Sequence, residues 1–354
     1  MLKRIYLLIA AACLLSIGVL AQIPSGYYNT ASGKTGNELK AALYEIIKGH
    51  TELTYTPGLW NAFAYTDKRS DGKVWDMYSA CDFTFVTDQD PGSGGTSECQ
   101  YYNREHSFPR EWFGGAIAPM NTDLFHIYPT DKKVNSVRAS YPFGSVGNAS
   151  YTSGNGSKLG TSNYPGYTST VFEPIDEYKG DFARSYFYMA TRYHNIIQNW
   201  SSPMLAGNQY PAFTSWAVSI LLEWNTNDPV SEKEINRNNV IHTSYQHNRN
   251  PYIDHPEYAQ LVWNPNGTNV TITNIAQISV YPNPASETIN VTLSYAGVSN
   301  YYVADISGRI VLNGELNHEN STGTISLNGL SEGIYFLRII GNNQIGVVRF
   351  VVGK

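Results

Sequence analysis

Hydrophobic periodicity changes character once along this chain, and that change constrains the fold more than any other feature. Before Asn264 apolar residues recur at helical spacing: Leu39, Leu43 and Ile46/Ile47 within 36–49, Phe182, Tyr186, Met189 and Tyr193 within 181–200, then Phe213, Trp216, Ile220, Leu221 and Trp224. After Ile278 they alternate with polar residues over 289–293, 301–306, 324–327, 334–339 and 346–352, between glycine and asparagine turns. Asp228-Pro229 suits the cap and first turn of a polar helix over 230–243. The glycine-, serine- and tyrosine-rich stretch 147–170 has no period and reads as a long surface loop or irregular hairpins. A turn-rich linker over 264–277 separates the two patterns. The pattern predicts an α+β chain: a mixed helical domain over 22–263, then a small all-β sandwich over 278–354. With 354 residues the chain is long enough for two cores, since one core usually stops growing near about 250.

Lys3 and Arg4 precede an apolar run from Ile5 to Leu20, and Val19-Leu20-Ala21 fits a small-x-small cleavage site, so residues 1–21 read as a signal peptide. A membrane anchor is the alternative, but a spanning helix needs about 20 apolar residues and firmer flanking charge. No stable span is expected. Ala10-Ala11-Ala12-Cys13 faintly resembles an acylation site, yet the apolar run continues past Cys13. Export leaves Cys81 and Cys99, which in an oxidising compartment read as a disulfide, with two buried thiols as the alternative. The net charge of −5 excludes a broadly basic nucleic-acid surface, and residues 22–277 alone hold 18 bases against 24 acids. Any polyanion would therefore be held by a metal and a local arginine cluster.

The chemistry-bearing residues crowd into one stretch. Glu105-His106 stands within Tyr101-Tyr102-Asn103-Arg104-Glu105-His106-Ser107-Phe108-Pro109-Arg110, followed by Asp123-Leu124-Phe125-His126-Ile127-Tyr128 and by Val134-Asn135-Ser136-Val137-Arg138. A zincin helix is excluded, because Arg110 stands four residues after His106 and Pro109 breaks any helix there. Adjacent strand residues face opposite ways, so Glu105 and His106 share a site only if the strand twists or ends there. A histidine with a pKa near about 6.5 is largely neutral at pH 7 and can take a proton from water, which makes His106 the candidate general base. The hard oxygens of Glu105 and Asn135 suit Mg²⁺.

These blocks, together with Phe172-Glu173-Pro174, Gly180-Asp181-Phe182-Ala183-Arg184, Asp228-Pro229 and Asn248-Arg249-Asn250-Pro251-Tyr252, resemble the secreted endonuclease I family over most of 38–263. The resemblance implies a His-Me finger, or ββα-metal, site in which Glu105 and Asn135 hold Mg²⁺, with Mn²⁺ or Ca²⁺ as substitutes, and His106 stays unligated. It further implies endonucleolytic cleavage of DNA, and of RNA as a second candidate substrate, to 5′-phosphate ends without sequence readout. Arg138, three residues beyond Asn135, shares its helical face and is a candidate catalytic contact to the scissile phosphate; a structural ion pair is the alternative. His126 reads as a support of the metal site or as a core histidine. Arg104, Arg184, Arg249 and Asn250 read as backbone contacts or as buried hydrogen-bonding groups, and Asp71, Asp76 and Asp82 as structural carboxylates without calcium-loop spacing. Val280-Tyr281-Pro282-Asn283-Pro284-Ala285, Gly333-Ile334-Tyr335-Phe336-Leu337 and the terminal Lys354 resemble the C-terminal sorting domain of the type IX secretion system of Bacteroidetes. That likeness implies passage through the periplasm to the cell surface or medium, with the secretion machinery as a partner. A monomer is expected. A non-catalytic polymer-binding or adhesion protein, using the 27 tyrosines for stacking, is the rival reading.

Overall fold

The computed structural model describes residues 23–265, 274–275, 278–306, 310–318, 320–341 and 344–353. The signal-peptide reading and most of the linker reading fall outside them. Two compact units result, the first closing at Pro256 and the second opening at Glu257.

The first unit contains α1 (Gly36–Ile47), α2 (Gly58–Thr66), β1 (Tyr102–His106), β2 (Ile127–Asp131), α3 (Lys132–Arg138), β3 (Val146–Thr152), β4 (Lys158–Ser162), β5 (Thr170–Glu173), α4 (Asp176–Arg192), α5 (Ser215–Asn227), α6 (Glu232–Ser244) and α7 (Pro251–Asp254). Its spine is α4, in which every residue from Gly180 to Arg192 is buried. A helix surrounded on all sides needs apolar side chains all round, and α4 supplies Phe182, Tyr186, Phe187 and Tyr188. Asp176 and Glu177 in its first turn complement the helix dipole, which explains why it begins before the apolar stripe does. It stops at Arg192 instead of running to Trp200, because tight bonds from His194 N to the Thr191 carbonyl and from Ile196 N to the Tyr193 carbonyl turn the chain.

One further expectation needs correction, and another is narrowed. Asp228-Pro229 does not open α6. Ser231 does, its hydroxyl accepting from Glu234 N at 3.3 Å while the Glu234 carboxylate accepts from Ser231 N at 2.9 Å. This reciprocal box satisfies two orphan donors that Asp228 would leave open; Asp228 instead follows the end of α5 and accepts from Gly180 N at 2.7 Å. Of the two readings of the 147–170 stretch, the long loop fails and the irregular hairpins hold: β3, β4 and β5 pair in sequence as an antiparallel sheet, with register shifts between β3 and β4. Much of β3 is exposed on both faces, so its strand lacks the apolar alternation that betrays a half-buried one.

The second unit opens with α8 (Glu257–Trp263) and continues through β6 (Asn274–Ile275), β7 (Ser279–Tyr281), β8 (Thr288–Thr292), β9 (Gly297–Asp305), β10 (Ile310–His318), β11 (Thr322–Ser326), β12 (Gly333–Gly341) and β13 (Gln344–Val352). The sheet β10-β9-β12-β13-β6 and the sheet β11-β8-β7 share one core. Ile289 and Val291 from the smaller sheet meet Val303, Leu337, Ile339 and Phe350 from the larger. Among the described residues, pairing is antiparallel except for the short β13–β6 contact and the single parallel bridge from Ala285 to Val352. Strand β10 had no counterpart among the alternating runs, since it buries only Leu316 and His318.

Candidate active site

Strand β1 pairs antiparallel with β2, setting Asn103 opposite Thr130 and Glu105 opposite Tyr128, and α3 follows β2 without a break. Helix α4 backs the pair: Tyr128 Oη and Ser185 Oγ lie 2.7 Å apart, and Tyr186 Oη donates to the Ser107 carbonyl at 2.9 Å. Asp131 caps α3, its Oδ1 accepting from Lys133 N at 2.7 Å and Val134 N at 3.0 Å. Its Oδ2 accepts from Cys99 N at 2.7 Å, so the Cys81–Cys99 disulfide borders the cap that orients α3. Among the described residues, the one group of three candidate His, Cys or acidic metal ligands is Cys81, Cys99 and Asp131, and its two sulfurs are bonded to each other.

A cleft of about 350 Å³ is lined by Asn103, Arg104, Glu105, His106, Arg110, Glu111, Asn135 and Arg138, among others. Glu105, His106, Asn135 and Arg138 therefore converge on one space. Strand β1 ends at His106 and Pro109 follows, which lets neighbours of opposite facing reach the same cleft.

Each of these side chains is held by a group that carried no motif of its own. His106 Nε2 donates to the Asn121 carbonyl at 3.2 Å; a carbonyl only accepts, so the proton sits on Nε2 and Nδ1 keeps its lone pair. The ring stands near-parallel to Tyr55 at 6.2 Å and edge-on to His126 at 5.4 Å. Burial, then His126 and Arg110, holds the imidazole well below its ordinary pKa and hence neutral. His126 is fully buried and donates from Nε2 to the Met120 carbonyl at 2.7 Å, its ring backing His106.

Glu105 Oε1 accepts from Tyr78 Oη at 2.8 Å and pairs with Arg138 Nη1 at 3.0 Å. Burial raises the Glu105 carboxyl, and the Arg138 charge only partly offsets that. Arg138 is itself buried: Nη1 also donates to the His106 carbonyl at 3.0 Å, and Nη2 to the Ser107 carbonyl at 2.5 Å and to Tyr186 Oη at 3.2 Å. Its terminal nitrogens thus bind protein. Asn135 Nδ2 donates to Asn103 Oδ1 at 2.8 Å. Among the described residues, the donor set therefore leaves two hard oxygens without a protein hydrogen bond, Glu105 Oε2 and Asn135 Oδ1, of the kind a hard divalent cation takes. Asn103 could have been found from sequence, standing two residues before Glu105 on the same strand face. Tyr78 and Asn121 could not, since Tyr78 lies in irregular chain and Asn121 in a single 3-10 turn, and both act through tertiary contact.

The remaining arginines divide. Arg184 grips Glu234 through Nε at 2.6 Å and Nη2 at 2.8 Å, Arg249 grips Asp254 at 2.6 Å, and Asn250 caps α7; all three are buried. Arg104 alone of that group lines the cleft. Asp71 and Asp82 both bind Arg69, and Asp76 accepts from Tyr78 N and from the Ser79 hydroxyl, so these carboxylates are structural.

The family model described as Endonuclease I matches residues 35–257, and that of a secretion system C-terminal sorting domain matches 279–353. Two relatives, the extracellular ribonucleases of Bacillus amyloliquefaciens and Bacillus subtilis (strain 168), are each 38% identical over 252 residues, covering 67% of this chain and 78% of theirs. Among solved structures, the complex of Porphyromonas gingivalis RgpB pro- and mature domains is 18% identical and covers 40% of this chain; this chain spans 36% of that one, and a TM-score of 0.21 carries no inference. No helix among the described residues is long and apolar enough to cross a membrane. With one family model spanning the first unit's cleft and another the β-rich tail, the chain belongs to the Endonuclease I family and is a secreted nuclease with a C-terminal sorting domain.

Proposed function

We propose that the cleft hydrolyses phosphodiester bonds of DNA and RNA in the presence of Mg²⁺, in the ββα-metal manner and without sequence readout. The carrying observation is the fixed His106 tautomer: with Nε2 tied to the Asn121 carbonyl, Nδ1 is the one ring atom able to take a proton from water. Glu105 Oε2 and Asn135 Oδ1 would hold the cation, which would supply charge neutralisation at the phosphate and at the leaving oxygen. Tyr78 and Arg138 hold Glu105 in place, and Asn103 turns the Asn135 amide so that its oxygen stays free. Arg138 then acts through Glu105 and the strand end more than through direct phosphate contact. RNA is favoured as a substrate beside DNA because both relatives are named ribonucleases. Cleavage leaving 5′-phosphate and 3′-hydroxyl ends is the expected outcome.

The test incubates the full chain with supercoiled plasmid and with RNA, in Mg²⁺ or EDTA, beside His106→Ala and Glu105→Ala. Loss of the base should lower the rate about 10²- to 10⁴-fold. Undiminished cleavage by His106→Ala would remove it as base, undiminished cleavage in EDTA would remove the metal, and inert wild type would favour a binding protein.

A further inference from the structure

The cleft holds two guanidinium groups that the proposed chemistry does not use. Arg104 stands just before Glu105 on β1, and Arg110 stands just past the strand's end; both line the cleft and both act electrostatically on His106. Neither has a carboxylate within ion-pair distance among the described residues, whereas the acids around them are already engaged. Asp90 binds Lys132 at 2.7 Å, Glu105 binds Arg138 at 3.0 Å, and Glu111 accepts from the Ser140 hydroxyl at 2.8 Å.

Arg104 is prepared for binding in a further respect. Its guanidinium carbon lies 3.7 Å from the Tyr55 ring centre and 4.3 Å from that of Trp60, and Nη1 donates to the Tyr55 carbonyl at 2.7 Å and the Thr56 hydroxyl at 2.8 Å. Held over two rings and at one nitrogen, it has little rotamer freedom left to lose, while Nε and Nη2 make no hydrogen bond among the described residues. Arg110 makes no hydrogen bond or ion pair among the described residues. The two like charges also repel each other, a cost that an anion between or beside them would relieve.

We infer that Arg104 and Arg110 form a phosphate clamp that holds the nucleic-acid backbone on either side of the bond cleaved at His106. The inference rests on the nuclease reading above. It explains how an acidic chain retains a polyanion: attraction is confined to two unneutralised guanidiniums in one cleft, where planar donors match phosphate oxygens, and does not depend on the overall field.

The experiment separates binding from cleavage. In the His106→Ala full chain with EDTA, binding of a labelled single-stranded DNA and of the same sequence as RNA is followed from 50 to 200 mM salt. Removing one phosphate contact should lower the slope of log affinity against log salt by about 0.7, and Arg110→Ala and Arg104→Gln should each do so. Arg110→Lys should keep the slope, because it keeps the charge. On the active background Arg110→Ala should raise KM about ten- to hundredfold, the loss expected for one charged hydrogen-bonding group, and leave kcat within about twofold. Lys158→Ala, at an exposed position of β4 outside the cleft, should change neither quantity. Unchanged slopes in both Arg104→Gln and Arg110→Ala overturn the clamp, as does an equal change in Lys158→Ala. A wild type that binds with the expected slopes yet never cleaves overturns the nuclease reading instead.

Discussion

In the first unit Arg184, Arg237, Arg249, Asp67, Asp181 and Glu234 lie inside the protein in ion pairs, whereas the buried polar residues described in the second unit are Ser299 and His318, which bond each other at 2.9 Å. The second unit is held by alternation: each strand turns one apolar row into a common core, and the remaining rows face out. The first unit places charge where its helices meet. Arg184 on α4 takes hold of Glu234 on α6, and also of Asn225 and the Asp228 carbonyl on and just past α5; Arg237 on α6 joins Asp67, just past α2, and the Ile127 carbonyl of β2. Such pairs are weak evidence for stability, because desolvation costs nearly as much as the attraction returns. What they do supply here is geometry, since each fixes the angle and register of elements that a greasy surface would let slide. The unit that carries a reaction centre has its interior specified by hydrogen-bond direction, and the unit that serves as an address has its interior specified by area.

That contrast can be broken at its strongest point first. Arg184→Ala strands the buried Glu234 carboxylate and should cost about 3–5 kcal/mol, read as a fall in urea midpoint, while the double replacement Arg184→Leu with Glu234→Leu should recover most of it. A double variant as unstable as the single one would show that the paired charge itself, and not apolar area, holds this interior. The matching change in the second unit, Leu337→Ala, removes a fully buried side chain and should cost about 2–5 kcal/mol through cavity formation. It should leave the cleavage rate within about twofold, because every residue lining the cleft lies in the first unit. A large loss of rate would mean that the tail does assist catalysis.

The smallest effect is a slope with pH. Burial pulls His126 from 6.5 down to about 4, with Asp123 opposing. The unfolded chain therefore takes up a proton in this window that the folded chain refuses. Stability from this group is fully present above pH 6.5 and is lost as the pH falls through 4, by at most about 3 kcal/mol. His126→Asn, which can still donate to the Met120 carbonyl, should flatten that part of the stability curve. An unchanged slope would place the acid sensitivity elsewhere.

Much of the candidate site was legible. Glu105, His106, Asn135 and Arg138 were singled out by residue type together with the resemblance to the endonuclease I family, since spacing alone was a weak signal, and the structure gathers all four in one cleft. Their supports were not, because Tyr78, Asn121 and Tyr186 stand 27, 15 and 48 residues from Glu105, His106 and Arg138 and obey no local period. The same limit explains α6. Both Asp228 and Ser231 are good caps by residue type, and only the pairing of Asp228 with Gly180 N on α4 decides between them.

By itself, then, the sequence determined what depends on neighbours along the chain: where helical period gives way to strand period, which strand ends at a proline, and which pair of residues stands there. The structure alone decided what depends on neighbours in space. Whether Arg138 faces phosphate or Glu105, which nitrogen of His106 carries its proton, and which arginines remain without a carboxylate are set by hydrogen bonds between distant segments. A buried donor takes whatever acceptor folding brings to it, and no local pattern records which that will be.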